Sequence, residues 1–312
     1  MQILAVIVRY KVPLAESETV KTMANNFAMH VDCAHKVKVL IWDNSPEPSP
    51  SHALPFDFLY RHSSKNVGVS GAYNAALELA IQMGCQWMLL LDQDTSLPST
   101  FLVSMHDYGC NFEDRHEIAA VAPFLVDGEL VISPGQLLFN RVKLIKPPFQ
   151  GIHPGKLYAA NSGTLIRVDA LKEIGGFNED FWLDLSDIVA FHELYARGRV
   201  LYIAGDLRLP HKVTLNDYEG SMSPQRYTNF VSAEGAYWDT YRSFAENLIQ
   251  TLRLFARAVK QWLRFKNKAY AKITIAYAFG RVFRSRDARL NSWRESSTQR
   301  SLPLVEGGKV VS

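Results

Sequence analysis

Two aspartates, Asp92 and Asp94, follow an apolar run that begins at Trp87 and is too short to span a membrane. A short apolar run closed by polar residues and Pro98 predicts a strand buried on both faces. Side chains two residues apart point to the same side of an extended chain, so the two carboxylates can converge. Such close negative charges repel each other unless a cation lies between them, and hard oxygen ligands suit Mg²⁺ or Mn²⁺.

Ligands of open α/β sheets bind outside the carboxyl ends of the strands. The Asp92–Asp94 pair therefore predicts a metal–diphosphate site at a strand end. The alternative is a strand-to-turn junction that carries a solvated pair of aspartates.

The rest of the chain predicts alternating strands and helices that would position this pair. The predicted strands are residues 2–8, 36–43, 56–60, 87–92, 118–126, 156–167 and 199–204, and the predicted helices are residues 17–31, 75–82, 98–112, 168–174 and 188–197. Asp127–Gly128 predicts a hairpin turn, and residues 135–155, rich in Pro and Gly, predict a loop. The alternation is expected of a parallel sheet with helices on both faces.

A small, polar run from Asn66 to Asn74 lies between a predicted strand and a predicted helix. Gly68 and Gly71 permit close backbone approach, and the N-terminus of the following helix favours an anion. The run is neither a P-loop nor a dinucleotide-binding fingerprint. The alternative is an ordinary helix start that contains glycines.

Composition gives few indications of partners. The chain has 312 residues and a net charge of only +3, so nothing global indicates nucleic acid. Cys33, Cys85 and Cys110 lack metal-ligand spacing, and we expect buried free thiols in a reducing compartment. No signal peptide is recognisable, and no apolar run reaches the roughly 20 residues of a membrane span. These features favour a cytoplasmic protein.

The segment from Leu252 to Leu290 is strongly basic, with Asp287 as its only acid. Basic residues recur at spacings of three and four opposite a stripe of large apolar residues. The basic positions are Arg253, Arg257, Lys260, Arg264 and Lys268, and the stripe is Phe255, Val259, Trp262 and Phe265. This pattern predicts an amphipathic helix at an anionic membrane surface, so that a chain ending near Gln250 would stay folded and active. The alternative is a helix packed on the core with a solvated basic face.

In combination, several motifs resemble glycosyltransferase family 2, the inverting enzymes of GT-A fold, and most closely its bacterial rhamnosyltransferase branch. The resemblance runs from about Ile3 to His211 and more weakly to Arg242. The motifs are Val8-Arg9-Tyr10, Asp43-Asn44-Ser45, the Asn66 to Asn74 run, Leu91-Asp92-Gln93-Asp94, Asn161-Ser162-Gly163, Gly175-Gly176-Phe177, Asp187 and His211. Each is weak alone, but their order is specific.

The resemblance implies roles for individual residues. Asp187 would be the catalytic base, and Asp94 with His211 would hold Mg²⁺ or Mn²⁺. The residues implied in nucleotide-sugar binding are Arg9, Tyr10, Asp43, Asn66, Gly68, Asn74 and Asp92. Relatives usually carry another acid two residues past the base, where this chain has Val189. That departure concerns acceptor handling more than catalysis.

The implied fold class is α/β: a GT-A, Rossmann-like mixed sheet of the nucleotide-diphospho-sugar transferase type, flanked by helices and followed by a C-terminal helical extension. The implied domains are a catalytic domain at 1–220, with a nucleotide half at 1–97 and an acceptor half at 98–220, a basic helical extension at 221–295 and a flexible tail at 296–312. The implied activity moves rhamnose or another hexose from dTDP-rhamnose or a UDP-sugar to a glycan or lipid-linked glycan. The product would be cell-surface polysaccharide such as O-antigen, made at the inner face of the plasma membrane.

Several alternatives stay open. Asp187 could serve only as the N-cap of a helix starting at Ile188, with Asp184 as the fallback base, and His211 could be a loop or core histidine. A sugar-phosphate nucleotidyltransferase shares a related sheet, but it would need a Gly-rich basic loop where this chain has Arg9 to Pro13. A catalytically decayed, membrane-peripheral scaffold is the non-enzyme alternative.

Overall fold

A mixed sheet of nine strands forms the centre of the protein in a computed structural model, which describes residues 1–49, 53–138, 141–211 and 222–300. The strands, in chain order, are β1 (Ile3–Arg9), β2 (Val37–Asp43), β3 (Leu59–His62), β4 (Trp87–Asp92), β5 (Ile118–Asp127), β6 (Leu130–Ser133), β7 (Gly135–Leu138), β8 (Arg141–Leu144), β9 (Gly151–Ile152), β10 (Thr164–Arg167) and β11 (Val200–Pro210). Their order across the sheet is β3-β2-β1-β4-β10-β5-β11-β9, with β6 beside β5, while β7 and β8 form a separate hairpin.

Helices cover both faces of the sheet and continue beyond it. They are α1 (Glu18–Met29), α2 (Val31–Ala34), α3 (Gly68–Gln82), α4 (Phe101–Asn111), α5 (Val168–Glu173), α6 (Ser186–Ala196), α7 (Pro224–Tyr241), α8 (Phe244–Arg264), α9 (Ala269–Phe283) and α10 (Arg286–Arg300). The α/β fold class is therefore confirmed, with its mixed sheet, flanking helices and C-terminal helical extension.

Strand β1 shows how the apolar runs build the core, because all seven of its residues are buried. Its alternate side chains enter two hydrophobic clusters, one on each face of the sheet. The cluster around Leu4 and Val6 packs against α3, and the cluster around Ile3 and Ile7 packs against α1 and α4. A strand that is apolar on both faces must be covered twice, which is why its sequence does not alternate.

Strands β1 to β4 are parallel, whereas β10 runs antiparallel between β4 and β5. Because β5 also runs antiparallel to β10, and β11 runs parallel to β5, the ends of β4 and β11 point the same way. The carboxyl ends of β1, β2, β4 and β11 therefore lie at one edge of the sheet, together with the start of β10.

Several element boundaries differ from the sequence predictions. Residues 135–155, predicted as a loop, contain the β7–β8 hairpin and β9, and only the last four residues of the predicted strand 156–167 are extended. Helix α3 begins at Gly68 rather than residue 75, and α6 begins at Ser186 rather than Ile188. The tail predicted at 296–312 continues α10 to Arg300, and its remainder lies outside the described residues.

The helical extension packs against the rest of the molecule through one cluster and builds a core of its own with another. The first cluster joins Phe181 and Val189 to Tyr237, Trp238 and Trp293. The second is internal to the extension, and it includes Met222, Tyr227, Val231, Leu254, Tyr270 and Ala278. The extension therefore touches the segment that leads into α6.

Two further expectations can be compared with the structure. Cys85 is a buried thiol as expected, but Cys110 is exposed, and the side chain of Cys33 lies outside what is described. In the described part of the chain, no helix combines the length and the apolar character that crossing a bilayer requires.

Candidate active site

The carboxyl ends of three neighbouring strands bring polar side chains to one edge of the sheet. Arg9 ends β1 and is paired in register with Asp43, which ends β2. On the other side of β1, Val8 is in register with Asp92, the last residue of β4. The structure thus assembles residues that are far apart in sequence, as the parallel arrangement requires.

His211 joins Asp92 and Asp94 because β11 ends at the same edge as β4. The backbone N–H of His211 donates to the Val126 carbonyl at 2.9 Å, which places this residue beside the end of β5. Ligand atoms of Asp92, Asp94 and His211 all lie within 4.8 Å of one another. The predicted Asp94–His211 pair is therefore brought together, with Asp92 as a third member.

The chemistry of these three side chains fits a divalent cation. Burial and the neighbouring Asp94 carboxylate raise the pKa of Asp92 to about 6, while His211 opposes the shift. Nδ1 of His211 is buried and has no hydrogen-bond partner among the described residues, although buried imidazole nitrogens are normally satisfied. Two carboxylates and an imidazole are donors that suit Mn²⁺ and accept Mg²⁺.

Asp187 lies in the first turn of α6, and its carboxylate accepts a hydrogen bond from the backbone N–H of Ile188 at 2.8 Å. It is not the N-cap, because that position is Leu185, whose φ of 64° is left-handed and strained for a branched residue. Burial raises the pKa of Asp187 to about 6 in spite of that hydrogen bond, and the charge on Asp92 acts in the same direction. A carboxylate with this pKa suits a general base near neutral pH.

A tight turn at Asn161–Ser162–Gly163 connects the metal-ligand candidates to Asp187. The backbone N–H of Asp92 donates to the Ser162 hydroxyl at 3.3 Å. The Asn161 amide donates to the Ser186 hydroxyl at 3.0 Å, one residue before Asp187. Gly163 has φ 80°, and a Cβ there would lie 2.6 Å from the side chain of Leu209. The sequence marked this turn only as part of a family motif, whereas the structure shows that it positions both halves of the site.

Asp184, the fallback base, forms an ion pair with Arg226 from helix α7. The carboxylate of Asp184 is thereby bound to a cation from the extension. Val189, where relatives usually carry an acid, is buried in the cluster with Phe181 and Trp238. An acid at that position would have to lie in an apolar environment.

Two tyrosines near the acids were not anticipated from the sequence. Tyr73 is fully buried on α3, and its hydroxyl has no partner among the described residues. Burial raises its pKa, and the negative charges of Asp92 and Asp187 raise it further. Burial and Asp187 likewise raise the pKa of Tyr158. Both shifts show that these phenols lie close to the candidate site, and no pattern in the sequence singles them out.

Arg9 and Asp43 form a buried ion pair with 2.6 Å between Nη1 and Oδ2. The Tyr60 hydroxyl and the backbone N–H groups of Ser45 and Ser49 also donate to Asp43. Burial alone would raise the pKa of Asp43, but these hydrogen bonds and the guanidinium of Arg9 lower it overall. Contact between Asp43 and a nucleotide stays a prediction; what is observed is a carboxylate already bound to several protein donors.

An open groove of about 480 Å³ lies beside this ion pair and is lined by Arg9, Lys11, Pro13 and residues 45–49. Tyr10, between the groove residues Arg9 and Lys11 in sequence, is 40% exposed, and the Lys11 ammonium lies 5.0 Å from the centre of the Tyr10 ring. Lys11 has a left-handed φ of 61°, a conformation that is uncommon outside glycine. Lys11 was missed in the sequence analysis, although its ammonium could bind an anionic ligand in the groove.

The N-terminus of α3 is not open to an anion in the way the glycine run suggested. The backbone N–H groups of Val69 and Ser70 donate to the carbonyl of Trp182 at 2.8 and 3.2 Å. A Cβ on Gly68 would lie 2.1 Å from that oxygen, so the glycine allows the close approach. The amide of Asn66 accepts from Gly68 itself. Nucleotide contacts by Asn66 and Gly68 stay predictions.

Asn74 has a structural role. Its amide donates to the Phe177 carbonyl and to Glu179, both at 2.9 Å, and its oxygen accepts from the Phe177 N–H at 2.8 Å. Three of the four hydrogen bonds that the amide can make therefore hold the Gly176–Phe177 turn, and contact between Asn74 and a nucleotide stays a prediction.

Comparisons with known proteins give no family assignment. No family model matches the chain, and no curated protein matches it. Solved structures with a related shape include S. aureus TarS 1–349, which is 14% identical over 96% of this chain and 92% of that chain, with a TM-score of 0.49. The same TarS fragment in complex with UDP is 13% identical over 96% and 92% of the two chains, with a TM-score of 0.46.

A longer TarS structure is 13% identical, and the match covers 95% of this chain but 55% of that one, with a TM-score of 0.48. The chain therefore spans about half the length of that protein. Overlaps at this level do not support an argument about activity. The α/β fold class rests on the strand order and helix placement of this chain itself.

Proposed function

We propose that the protein is a metal-dependent, inverting glycosyltransferase that uses a nucleotide-diphosphate sugar. The observation that carries the proposal is the convergence of Asp92, Asp94 and His211 at the edge of the sheet where Asp187 is held with a raised pKa. A site with a cation-binding cluster and a separate base suits transfer of a group from a diphosphate to a hydroxyl.

Each residue has a role in this reaction. Asp94 and His211 would hold Mg²⁺ or Mn²⁺ with Asp92 beside them, and the ion would neutralise charge that develops on the leaving diphosphate. Asp187 takes the proton from the acceptor hydroxyl as the hydroxyl oxygen bonds to the anomeric carbon and the bond to the diphosphate breaks. Attack from the face opposite the leaving group inverts the anomeric centre.

The groove beside Arg9 and Lys11 is the proposed nucleotide site. Lys11 supplies a positive charge there, and Tyr10 supplies an exposed ring against which a base can stack. The proposed donors are dTDP-rhamnose and UDP-sugars, which present a pyrimidine base and two phosphates. A partly exposed aromatic ring beside a cation is suited to that combination.

The proposed acceptor is a glycan or lipid-linked glycan used in cell-surface polysaccharide synthesis. A cavity of about 260 Å³ beside Ile188, the residue after the base, is lined by Tyr158, His192, Tyr237 and Arg242 among others. Aromatic walls with a few polar groups are typical of sites that bind a sugar ring. Two of these residues, Tyr237 and Arg242, come from or directly follow α7, so the extension contributes to this cavity.

Binding of UDP and dTDP, measured by calorimetry across a series of divalent cations, tests the metal cluster directly. We expect metal-dependent binding by the wild-type protein and its loss in Asp94→Asn, because one charged oxygen ligand is removed. Asp114→Asn is the matched control, since Asp114 is exposed and distant in sequence from the cluster. Unchanged Mn²⁺-dependent binding by Asp94→Asn would contradict the assignment, and release of pyrophosphate from a nucleoside triphosphate would favour a nucleotidyltransferase.

A further inference from the structure

Helix α8 turns an apolar face outward. The exposed fractions of its side chains are 85% for Phe244, 53% for Leu248, 61% for Leu252, 58% for Val259 and 76% for Leu263. These positions are separated by four, four, seven and four residues, so they form one stripe along the helix. We call this stripe the outer apolar face.

The opposite side of the same helix faces the protein interior and is of mixed character. Leu254 and Ala258 are buried there beside Gln250 and Gln261, which are only 2% and 4% exposed, and Arg257 pairs with Glu234 of helix α7 at 2.7 Å. Gln261 donates to the Tyr227 hydroxyl at 2.7 Å within the second core cluster of the extension. A surface helix normally packs its apolar side on the core, whereas α8 leaves a long apolar stripe exposed.

The outer apolar face continues onto helix α9. Phe279, Val282 and Phe283 are 48%, 56% and 80% exposed. The ring of Phe255 on α8 lies 5.2 Å from the ring of Phe279, which in turn lies 6.2 Å from Phe283. The two helices therefore present one continuous apolar surface, and surfaces of this kind mark interaction sites.

Cations flank this surface, and Glu246 near its start is the only acid in residues 244–286 of the sequence. Residues 247–286 contain neither Asp nor Glu. Within the described part of the chain, the exposed basic residues of this segment have no carboxylate partner. Those residues are Lys260, Arg264, Lys266, Lys272, Arg284 and Arg286.

We propose that the outer apolar face, together with its flanking cations, docks on an anionic lipid bilayer and lies in the plane of the headgroups. Apolar side chains can enter the acyl boundary while lysine and arginine reach anionic headgroups, and both contributions favour the same orientation. A second copy of the chain fits less well, because two-fold pairing of this face would oppose like-charged rims. The proposal is independent of the reaction that the catalytic site performs.

Two residues of the stripe predicted from sequence have a different role. Phe255 and Phe265 are half-buried and pack against the second core cluster, where the ring of Phe265 lies 5.8 Å from the ring of Tyr270. These aromatics pack on the extension, whereas the outer apolar face is left uncovered.

Co-sedimentation of the purified full-length protein with lipid vesicles tests the proposal. We expect binding to phosphatidylcholine vesicles that contain phosphatidylglycerol, weak binding to phosphatidylcholine alone, and release at high salt. The double variant Leu252→Ser/Leu263→Ser should bind at least about tenfold more weakly, because two exposed leucines no longer enter the lipid. Met29→Ser/Val31→Ser, also exposed and apolar but elsewhere, is the matched control and should bind like wild type.

A second pair of variants separates charge from apolar insertion. Lys260→Gln/Arg264→Gln should weaken binding by roughly tenfold at low salt and reduce the salt dependence. Lys21→Gln/Lys172→Gln, on exposed positions of the catalytic domain, should leave binding unchanged. All of these side chains are exposed, so the fold is expected to survive, and circular dichroism checks this.

Three outcomes would overturn the proposal. Absence of vesicle binding by the wild-type protein is the first, and equal binding by the leucine double variant is the second. The third is a dimer, detected by light scattering without lipid, that Leu252→Ser/Leu263→Ser dissociates while vesicles bind neither protein. That result would assign the face to a second copy of the chain.

Discussion

Two groups of charged side chains in this protein, one buried in the extension and one at the partly exposed edge of the sheet, are built in opposite ways. Asp239 in the extension is 2% exposed and accepts two hydrogen bonds from Arg281 and two from Arg289, at 2.7 to 3.1 Å. Asp92, Asp94 and Asp187 instead lie near one another at the sheet edge without an arginine or lysine bound to them among the described residues. Charges in the extension are neutralised within the protein, whereas the carboxylates at the sheet edge are left in excess.

The difference separates a structural site from a functional one. A paired buried charge adds rigidity, and a carboxylate whose pKa is raised by burial and by like charges stores unfavourable energy that a cation or a proton can relieve. Uncompensated acids in a protein interior therefore indicate a ligand more strongly than a dense network of ion pairs does.

The largest expected effect is on stability, and it comes from breaking the ion pairs of Asp239 with Arg281 and Arg289. Asp239→Asn leaves Arg281 buried without a full countercharge, and we expect a loss of about 3–5 kcal/mol in the free energy of unfolding. Chemical denaturation measures the loss. Glu117→Gln, which breaks an exposed pair with Arg115, is the control and should have little effect on stability. A similar small cost for both variants would show that the Asp239 group is not structurally important.

Replacing a carboxylate at the sheet edge should leave the fold intact and remove activity. Asp187→Asn keeps the size of the side chain and its hydrogen bond from Ile188, but it cannot accept a proton. We expect transfer to fall by at least about 100-fold, with donor affinity retained. Turnover on a candidate donor and acceptor, measured beside nucleotide affinity, checks this. Activity close to wild type would remove Asp187 from the mechanism.

The smallest expected effect is on the pH dependence of stability, where the contribution of Asp187 should fall as the pH rises, opposite to the usual behaviour of an aspartate. Because the pKa of Asp187 is about 6 in the folded protein and 3.8 ordinarily, the folded state binds the proton more tightly than the unfolded chain. The stabilisation is fully present below about pH 4 and is lost as the pH rises through about 6. Activity that requires the ionised base should rise over the same interval.

Thermal unfolding midpoints measured without metal between about pH 4 and pH 7 reveal this contribution. Asp187→Asn should flatten the decline at the upper end of the range, and Asp114→Asn should not. A wild-type profile that rises steadily through pH 6, with no difference between the two variants, would mean that Asp187 ionises normally.

The central sheet could be predicted from the sequence because burial on both faces leaves a visible signature. Strands β1 and β4 are uninterrupted apolar runs, and Asp92 and Asp94 appear directly at the end of one of them. Once the strands are taken as parallel, convergence of their ends follows from geometry, whereas the pairing of Asp94 with His211 was implied by the family resemblance.

Other parts of the site could not be predicted for specific physical reasons. Helix α6 begins at Ser186 because Leu185 adopts a left-handed conformation that its residue type does not suggest. Tyr73 lies in the run from Asn66 to Asn74, whose glycines alone suggested a function. Its proximity to Asp92 and Asp187 depends on tertiary packing, which the sequence does not show. Periodicity showed that α8 is amphipathic, but a period does not say which face is turned inward.

Helices α7 and α10 contact the segment that leads into α6, and this contact bears on the expectation that a chain ending near Gln250 would remain active. Such a truncation removes Trp293 from the cluster around Phe181, and it removes both arginines that bind Asp239. A protein cut at this point would expose apolar surface and a buried unpaired carboxylate, so we now expect it to unfold in that region.

The carbonyl of Trp182 at the start of α3 has a consequence for the kinetics of amide hydrogen exchange. The amide hydrogens of Val69 and Ser70 can exchange with solvent only when that carbonyl moves away, since no earlier turn of the helix protects them. Trp182 precedes Asp187 by a few residues in the same segment, so any opening that displaces the base also unprotects these two amides. Their exchange rates therefore provide an intrinsic reporter of how often the segment carrying the base leaves its closed position, readable without a substrate.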